Sequence, residues 1–156
     1  MSGHVAHLNW GYLVAPWGDP VVAGFTDNVQ RVNATAERSK GYVARPEMSE
    51  RALHRTIYAP RGDYESAREA ATLSVWETAE DLEHFVYNTI HGRFVAQREQ
   101  WFTPLGHPPH VIWPISAGHV PDLTEAHHAL ERLETKGAHA DAYDFKWLKE
   151  QREAAA

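Results

Sequence analysis

The stretch "FVYNTIHGRFVAQREQWF", Phe85 to Phe102, sets a histidine beside a glycine in the middle of an apolar helical pattern. An imidazole titrates near neutral pH, so His91 is a candidate general base, and it could equally serve as an axial ligand to iron. Glycine inside a helix costs roughly 1 kcal/mol relative to alanine, so Gly92 needs a reason. Its missing side chain would let a backbone or a ligand approach closely. At about 100° per residue, Leu82, Val86, Ile90, Phe94 and Trp101 form the buried stripe. His91 then lies at its edge, beside Tyr87 and Arg98.

Strands would supply the opposite wall of such a site. In "AATLSVWE", Ala70 to Glu77, Trp76 shares a face with Thr72 and Ser74, a composition that suits a pocket wall better than a dry core. In "HLNWGYLV", His7 to Val14, one face carries Leu8, Trp10, Tyr12 and Val14 and the other His7, Asn9, Gly11 and Leu13. A strand-borne amide must find partners, and Asn9 could polarise a substrate carbonyl or stabilise an enolate. The expected site thus has His91 and Asn9 as catalytic residues, with Trp76, Tyr87, Trp101 and Arg98 binding substrate. Trp10, Trp101 and Trp113 also read as core and interface residues, because large aromatics dominate burial. His4 with His7, and His107 with His110, read as terminal or loop pairs lacking further ligands, and a structural zinc needs four that converge. His119, flanked by Gly118 and Pro121, reads as ordering a turn.

The elements that position these residues have local signatures. Asp19 before Pro20 starts a helix running to about Arg38, with Val21, Val22, Phe25, Val29 and Val32 inward. Gly41 closes it, a short strand follows, and another short strand is possible at His54 to Tyr58. Thr78 with Asp81 forms a capping box that opens one long helix ending before Pro104. "HVIWPIS", His110 to Ser116, is a strand whose Pro114 cannot donate to a ladder, which places it at a sheet edge or a bulge. Asp122 with Glu125 caps a third helix, Leu123 to about Thr135, and Gly137 stops it.

Strand, helix, strand, strand, helix, strand is the split βαβ order of a ferredoxin-like α+β sandwich, here with an extra C-terminal helix. A single domain is expected, with its core at about 5–136 and a tail at 137–156. Helices on one face of a four-stranded sheet leave the other face bare, and packing against a second copy would cover it, so a homodimer is expected.

Composition narrows the function classes. Fifteen Lys and Arg stand against 21 Asp and Glu in 156 residues, a net charge of −6, and no basic cluster offers the footprint that nucleic acid requires. There is no cysteine, so disulfides, thiolate metal sites and cysteine nucleophiles are excluded. Without a secretion signal or an apolar run of roughly 20 residues, a soluble cytoplasmic protein with no membrane partner is expected. No glycine-rich phosphate loop, G-x-S-x-G elbow or EF-hand pattern occurs.

Four segments, "HLNWGYLVAP", "LSVWETAEDLEHFVYNTIHGRF", "REQWF" and "SAGHVPDLTEAHHALERLE", resemble the bacterial domain-of-unknown-function family 3291, within the dimeric α/β-barrel (antibiotic-monooxygenase-like) superfamily. The resemblance covers roughly His7 to Phe145. Asn9, Trp76, His91, Trp101 and His119 fall on recurring family positions; Gln100 stands where an acid is usual, which weakens the case for a carboxylate base on that helix, and Pro114 stands where a large apolar residue is usual. The superfamily contains cofactor-free monooxygenases of polyketide tailoring, isomerases, cyclases and heme proteins. The resemblance therefore implies an enzyme of secondary metabolism acting on a hydrophobic, aromatic or polyketide-like molecule without a cofactor, by oxygenation or by isomerisation or cyclisation. Heme with His91 as proximal ligand is the alternative, and a non-enzymatic carrier or sensor of a hydrophobic ligand is a third reading.

Overall fold

The computed structural model describes residues 3–47, 68–89, 92, 97–103 and 108–156. The expected strand at His54 to Tyr58, together with His91, Ile90 and Phe94, lies outside the described residues. Among the described residues the strands are β1 (His4–Leu13), β2 (Tyr42–Ala44), β3 (Glu69–Trp76), β4 (Phe102–Thr103) and β5 (His110–Ile115). The helices are α1 (Ala23–Thr26), α2 (Val29–Glu37), α3 (Ala79–Asn88), α4 (Leu123–Lys136) and α5 (Phe145–Ala155).

All strand pairs are antiparallel: β3 lies between β2 and β1, and the other edge of β1 is shared by β5 and the two-residue β4. With β4 set aside, the order β2-β3-β1-β5 is that of a ferredoxin-like α+β fold. β5 is an edge strand, as Pro114 requires. Ile112 turns its N–H and C=O away from β1, exchanging hydrogen bonds of 2.7 and 2.9 Å with Tyr143. Pro114, two residues on, therefore faces the same outward side, where its missing donor costs nothing.

The side-chain alternation of β1 divides the molecule into layers. Ala6, Leu8, Trp10 and Tyr12, with Leu73, Val75, Val111 and Trp113 from the neighbouring strands, pack on Leu123, Ala126, Ala129, Leu130 and Leu133 of α4. This is the face that the bare-sheet argument reserved for a second copy. It is covered by the chain's own α4, which removes that argument for a homodimer. The opposite face, bearing His7, Asn9, Gly11, Thr72, Ser74 and Trp76, looks toward α2, α3 and the start of α5.

The caps read from the sequence are in place: Asp19 accepts from Val21 N–H, Thr78 from Asp81 N–H and Asp122 from Glu125 N–H, at 2.9 to 3.0 Å. Gly137, at φ 75°, ends α4. Three expectations are corrected. The first helix is broken into a 3-10 turn (Pro20–Val22), α1 and α2. Asn28 at the break donates its side chain to Gly24 C=O at 3.0 Å, and Val21 is left 63% exposed. The long helix ends at Asn88, where Thr89 turns to extended backbone while its hydroxyl donates to Phe85 C=O at 2.5 Å. A Cβ on Gly92 would stand 2.7 Å from the Tyr87 carbonyl oxygen, so it is backbone, not ligand, that this glycine admits. Lastly, 137–156 is no mere tail, since Asp144 caps α5 through Trp147 N–H at 2.9 Å and α5 buries Phe145 against the core.

A cavity between the sheet and helices α2, α3 and α5

The polar face of β1 and its neighbours floors a cavity of about 340 Å³. Register brings the floor together: Asn9 is the Cα partner of Thr72 on one side and His110 on the other, and His7 that of Ser74 and Ile112. The walls are aromatic. Trp76 is 1% exposed, stacks on Phe85 with ring centroids 5.3 Å apart and meets the Tyr42 ring edge-on at 5.6 Å. Its indole N–H donates to Ser74 Oγ at 3.0 Å, which satisfies that donor within the floor.

Asn9, Trp76, Tyr87 and Arg98, four of the residues singled out in the sequence, line this cavity. Their neighbourhood differs from the helical projection, because Tyr87 belongs to α3 whereas Arg98 opens a separate 3-10 turn, Arg98–Gln100. Tyr87, 49% exposed, sits at the rim with its ring edge-on to Phe145 at 5.4 Å. Partial burial, then the charges of Glu83 and Asp144, raises its pKa, so it remains a phenol at neutral pH. Arg98 Nη2 donates to Trp10 C=O at 3.3 Å, and the guanidinium lies over the Phe102 ring, 4.7 Å from its centroid. Trp101 is corrected: it does not line the cavity but is buried with Leu13 and Val22 in a separate apolar cluster, its ring 6.1 Å from Phe25. Burial of the indole against α1 uses up the surface that a ligand would need. His91 lies outside the described residues.

His7 and His110 were the residues that sequence reasoning missed. Both were placed on strands but set aside as ligand pairs with His4 and His107; the fold instead pairs them with each other, their rings meeting edge to face at 5.5 Å, with Phe145 of α5 against both. Burial lowers the His110 pKa to about 4; Asp144 opposes that and the Arg98 charge adds to it. The imidazole is therefore neutral at physiological pH. Phe145 N–H donates to His110 Nε2 at 3.2 Å, which assigns the ring proton to Nδ1 and makes His110 a donor from that side. His119 keeps its structural role, pairing with Glu125 Oε1 at 2.6 Å while Trp113 N–H donates to Oε2 of the same carboxylate at 2.8 Å.

No group of three or more His, Asp or Glu residues converges among the described residues. Of the two described histidines that line the cavity, His7 and His110, the latter has its Nε2 engaged by the Phe145 backbone N–H, and the histidine expected to hold heme, His91, lies outside the described residues. No described helix is long and apolar enough to cross a membrane.

Three crystal structures are similar to the chain at low identity. SnoaB, a cofactor-independent oxygenase from Streptomyces nogalater, is 13% identical over 76% of this chain and 97% of its own, with a TM-score of 0.46. PA3566 from Pseudomonas aeruginosa is 15% identical over 76% and 98%, with a TM-score of 0.47. NE2512, a protein of unknown function from Nitrosomonas europaea, is 9% identical over 76% and 93%, with a TM-score of 0.45. No curated protein sequence matches the chain. The family model of the domain of unknown function DUF3291 matches residues 4–156, so the chain belongs to that family.

Proposed function

We propose that this protein is an enzyme that transforms a flat, hydrophobic small molecule by cofactor-independent proton transfer. The observation that carries the reading is the cavity floor, where Asn9 and a neutral His110 stand opposite one another beneath aromatic walls. A carbonyl or phenolic oxygen laid between them would meet the Asn9 amide and the His110 Nδ1–H. Hydrogen-bond donors preorganised in a water-poor site stabilise an enolate far better than water does. Neither group is suited to take the proton: the amide has no useful basicity, and an imidazole with a pKa near 4 is a weak base at neutral pH. His91 is assigned that role on the strength of its position beside Gly92 and its family match.

In this scheme His91 removes a proton from carbon next to the carbonyl, the electron pair moves onto oxygen, and Asn9 and His110 hold the resulting enolate. Return of the proton at another carbon completes an isomerisation, and attack on a second carbonyl completes a cyclisation. Combination of the carbanion with dioxygen gives a peroxide anion, which takes the proton back from His91 to become a hydroperoxide, whose loss of water leaves a ketone.

Purified protein incubated with a panel of anthrones and β-polyketone analogues in air, with no cofactor added, tests the reading by oxygen uptake and mass spectrometry of products. Turnover is expected, falling about 10²- to 10⁴-fold in His91→Ala and substantially in Asn9→Ala. Turnover of a substrate undiminished in both variants would remove the mechanism.

A further inference from the structure

Helix α2 brings one polar side chain to the cavity. Of its residues, Val29, Val32, Asn33 and Ala36 line the space above the floor, an apolar stripe at helical spacing with an amide set into it. Asparagine is a mediocre helix former, and an amide taken out of water costs free energy unless it is hydrogen-bonded. The fold alone would favour an apolar residue at this position.

The neighbouring polar side chains are used differently. Asn28 donates to Gly24 C=O at 3.0 Å, Thr35 to Arg31 C=O at 3.0 Å and Ser39 to Thr35 C=O at 2.8 Å, each bonding back to the carbonyl four residues earlier. None of these three lines the cavity. Asn33, which does, makes no such bond, and its half-buried amide has no hydrogen-bond partner among the described residues. The side chains of Asn9 and Thr72 on the floor are in the same condition. An amide carries both a donor and an acceptor, so it can receive either a hydroxyl or a carbonyl.

We propose that Asn33 is a ligand-binding residue that selects flat molecules oxygenated at two opposite edges. One oxygen lies on the floor between Asn9 and His110, and a hydroxyl or carbonyl at the far edge meets the Asn33 amide on α2. This rests on the reading of the cavity as the substrate site and narrows the substrate class to polycycles bearing at least two oxygens. Val29, Val32 and Ala36 present only carbon around the amide, so the position of the second oxygen is specified along with its presence.

Calorimetric titration of the full chain with 2,6-dihydroxynaphthalene and with 6-methyl-2-naphthol tests this. The two share one ring system and one hydroxyl, and the second hydroxyl is exchanged for a methyl group. Burial against an apolar helix face favours the methyl compound. An amide that receives the hydroxyl is expected to make the diol bind about three- to tenfold tighter, the worth of one neutral hydrogen bond. In Asn33→Ala, which leaves room in the cavity and puts a better helix former in α2, the preference should vanish or reverse while the thermal midpoint stays at or above that of wild type. Equal or tighter binding of the methyl compound by wild type, or a diol preference intact in Asn33→Ala, would overturn the proposal and leave the cavity reading standing. A variant melting far below wild type would also overturn it, because the fold would then be using the amide. Binding of neither compound would overturn both readings.

Discussion

Trp76→Ala is expected to destabilise the protein by about 3–5 kcal/mol, the cost of removing a large aromatic from a packed core. The side chain is 1% exposed and has Phe85 stacked on one side and Tyr42 edge-on at another. Marginal stability of about 5–15 kcal/mol for a domain makes such a loss a large share of the total. The thermal midpoint should fall by on the order of 10 °C for a chain of this size. Trp76→Phe, which keeps a stacking ring and gives up only the N–H donated to Ser74, should cost much less. Urea unfolding of the two variants separates the contributions, because the wall needs the ring whereas the floor needs the hydrogen bond. Similar losses in both would assign the cost to the buried hydroxyl rather than to the stacked wall.

The second large effect is acid sensitivity. His110 has a folded-state pKa of about 4, below its ordinary value of 6.5, because burial disfavours the charged ring. Between those two values the unfolded chain binds a proton that the folded chain does not. Stability therefore rises with pH across that window, and the contribution is complete above 6.5 and lost as pH falls toward 4. Each pH unit in the window is worth about 1.4 kcal/mol, so the group accounts for about 3 kcal/mol in all. Denaturant midpoints of wild type and His110→Phe, measured at pH 7 and pH 4.5, should show a steeper loss for wild type. Parallel loss would mean that His110 is charged in the folded protein. The same protonation would repel Arg98 and replace a neutral donor by a cation on the cavity floor.

What could be read from the sequence was what is decided locally. The caps at Asp19, Thr78 and Asp122 are contests among three or four neighbouring residues, and each was won as the chemistry of the side chain dictates. The alternation in β1 and β3 put Asn9, Thr72 and Trp76 on one face, and pairing only had to bring those faces together. The apolar period of Phe85 to Phe102 was less faithful. It continues past the point where Thr89 leaves helical backbone, and periodicity carries no information about that break. Phe102, read as helix, forms β4 against Leu13. The partnership of Asn9 with His110 arises from the register of β1 and β5, residues a hundred positions apart, and neither segment signals it alone. A signal for α5 was present in Asp144 ahead of "FKWL", the same cap pattern that located α4. Tracing it would have placed Phe145 near the site and shown that 137–156 belongs to the fold.

The central claim is that the face of β1 bearing His7 and Asn9 is the floor of a working ligand site. Nitrogen-15 spectra of the imidazole, indole and side-chain amide groups, recorded while 2,6-dihydroxynaphthalene or 6-methyl-2-naphthol is added, test it most directly. The account predicts His110 as the neutral Nδ1–H tautomer at pH 7, with ligand-induced shifts gathered on His7, His110, Asn9 and Trp76. Shifts gathered on His119, His127 and His128, with the cavity residues unmoved, would contradict it.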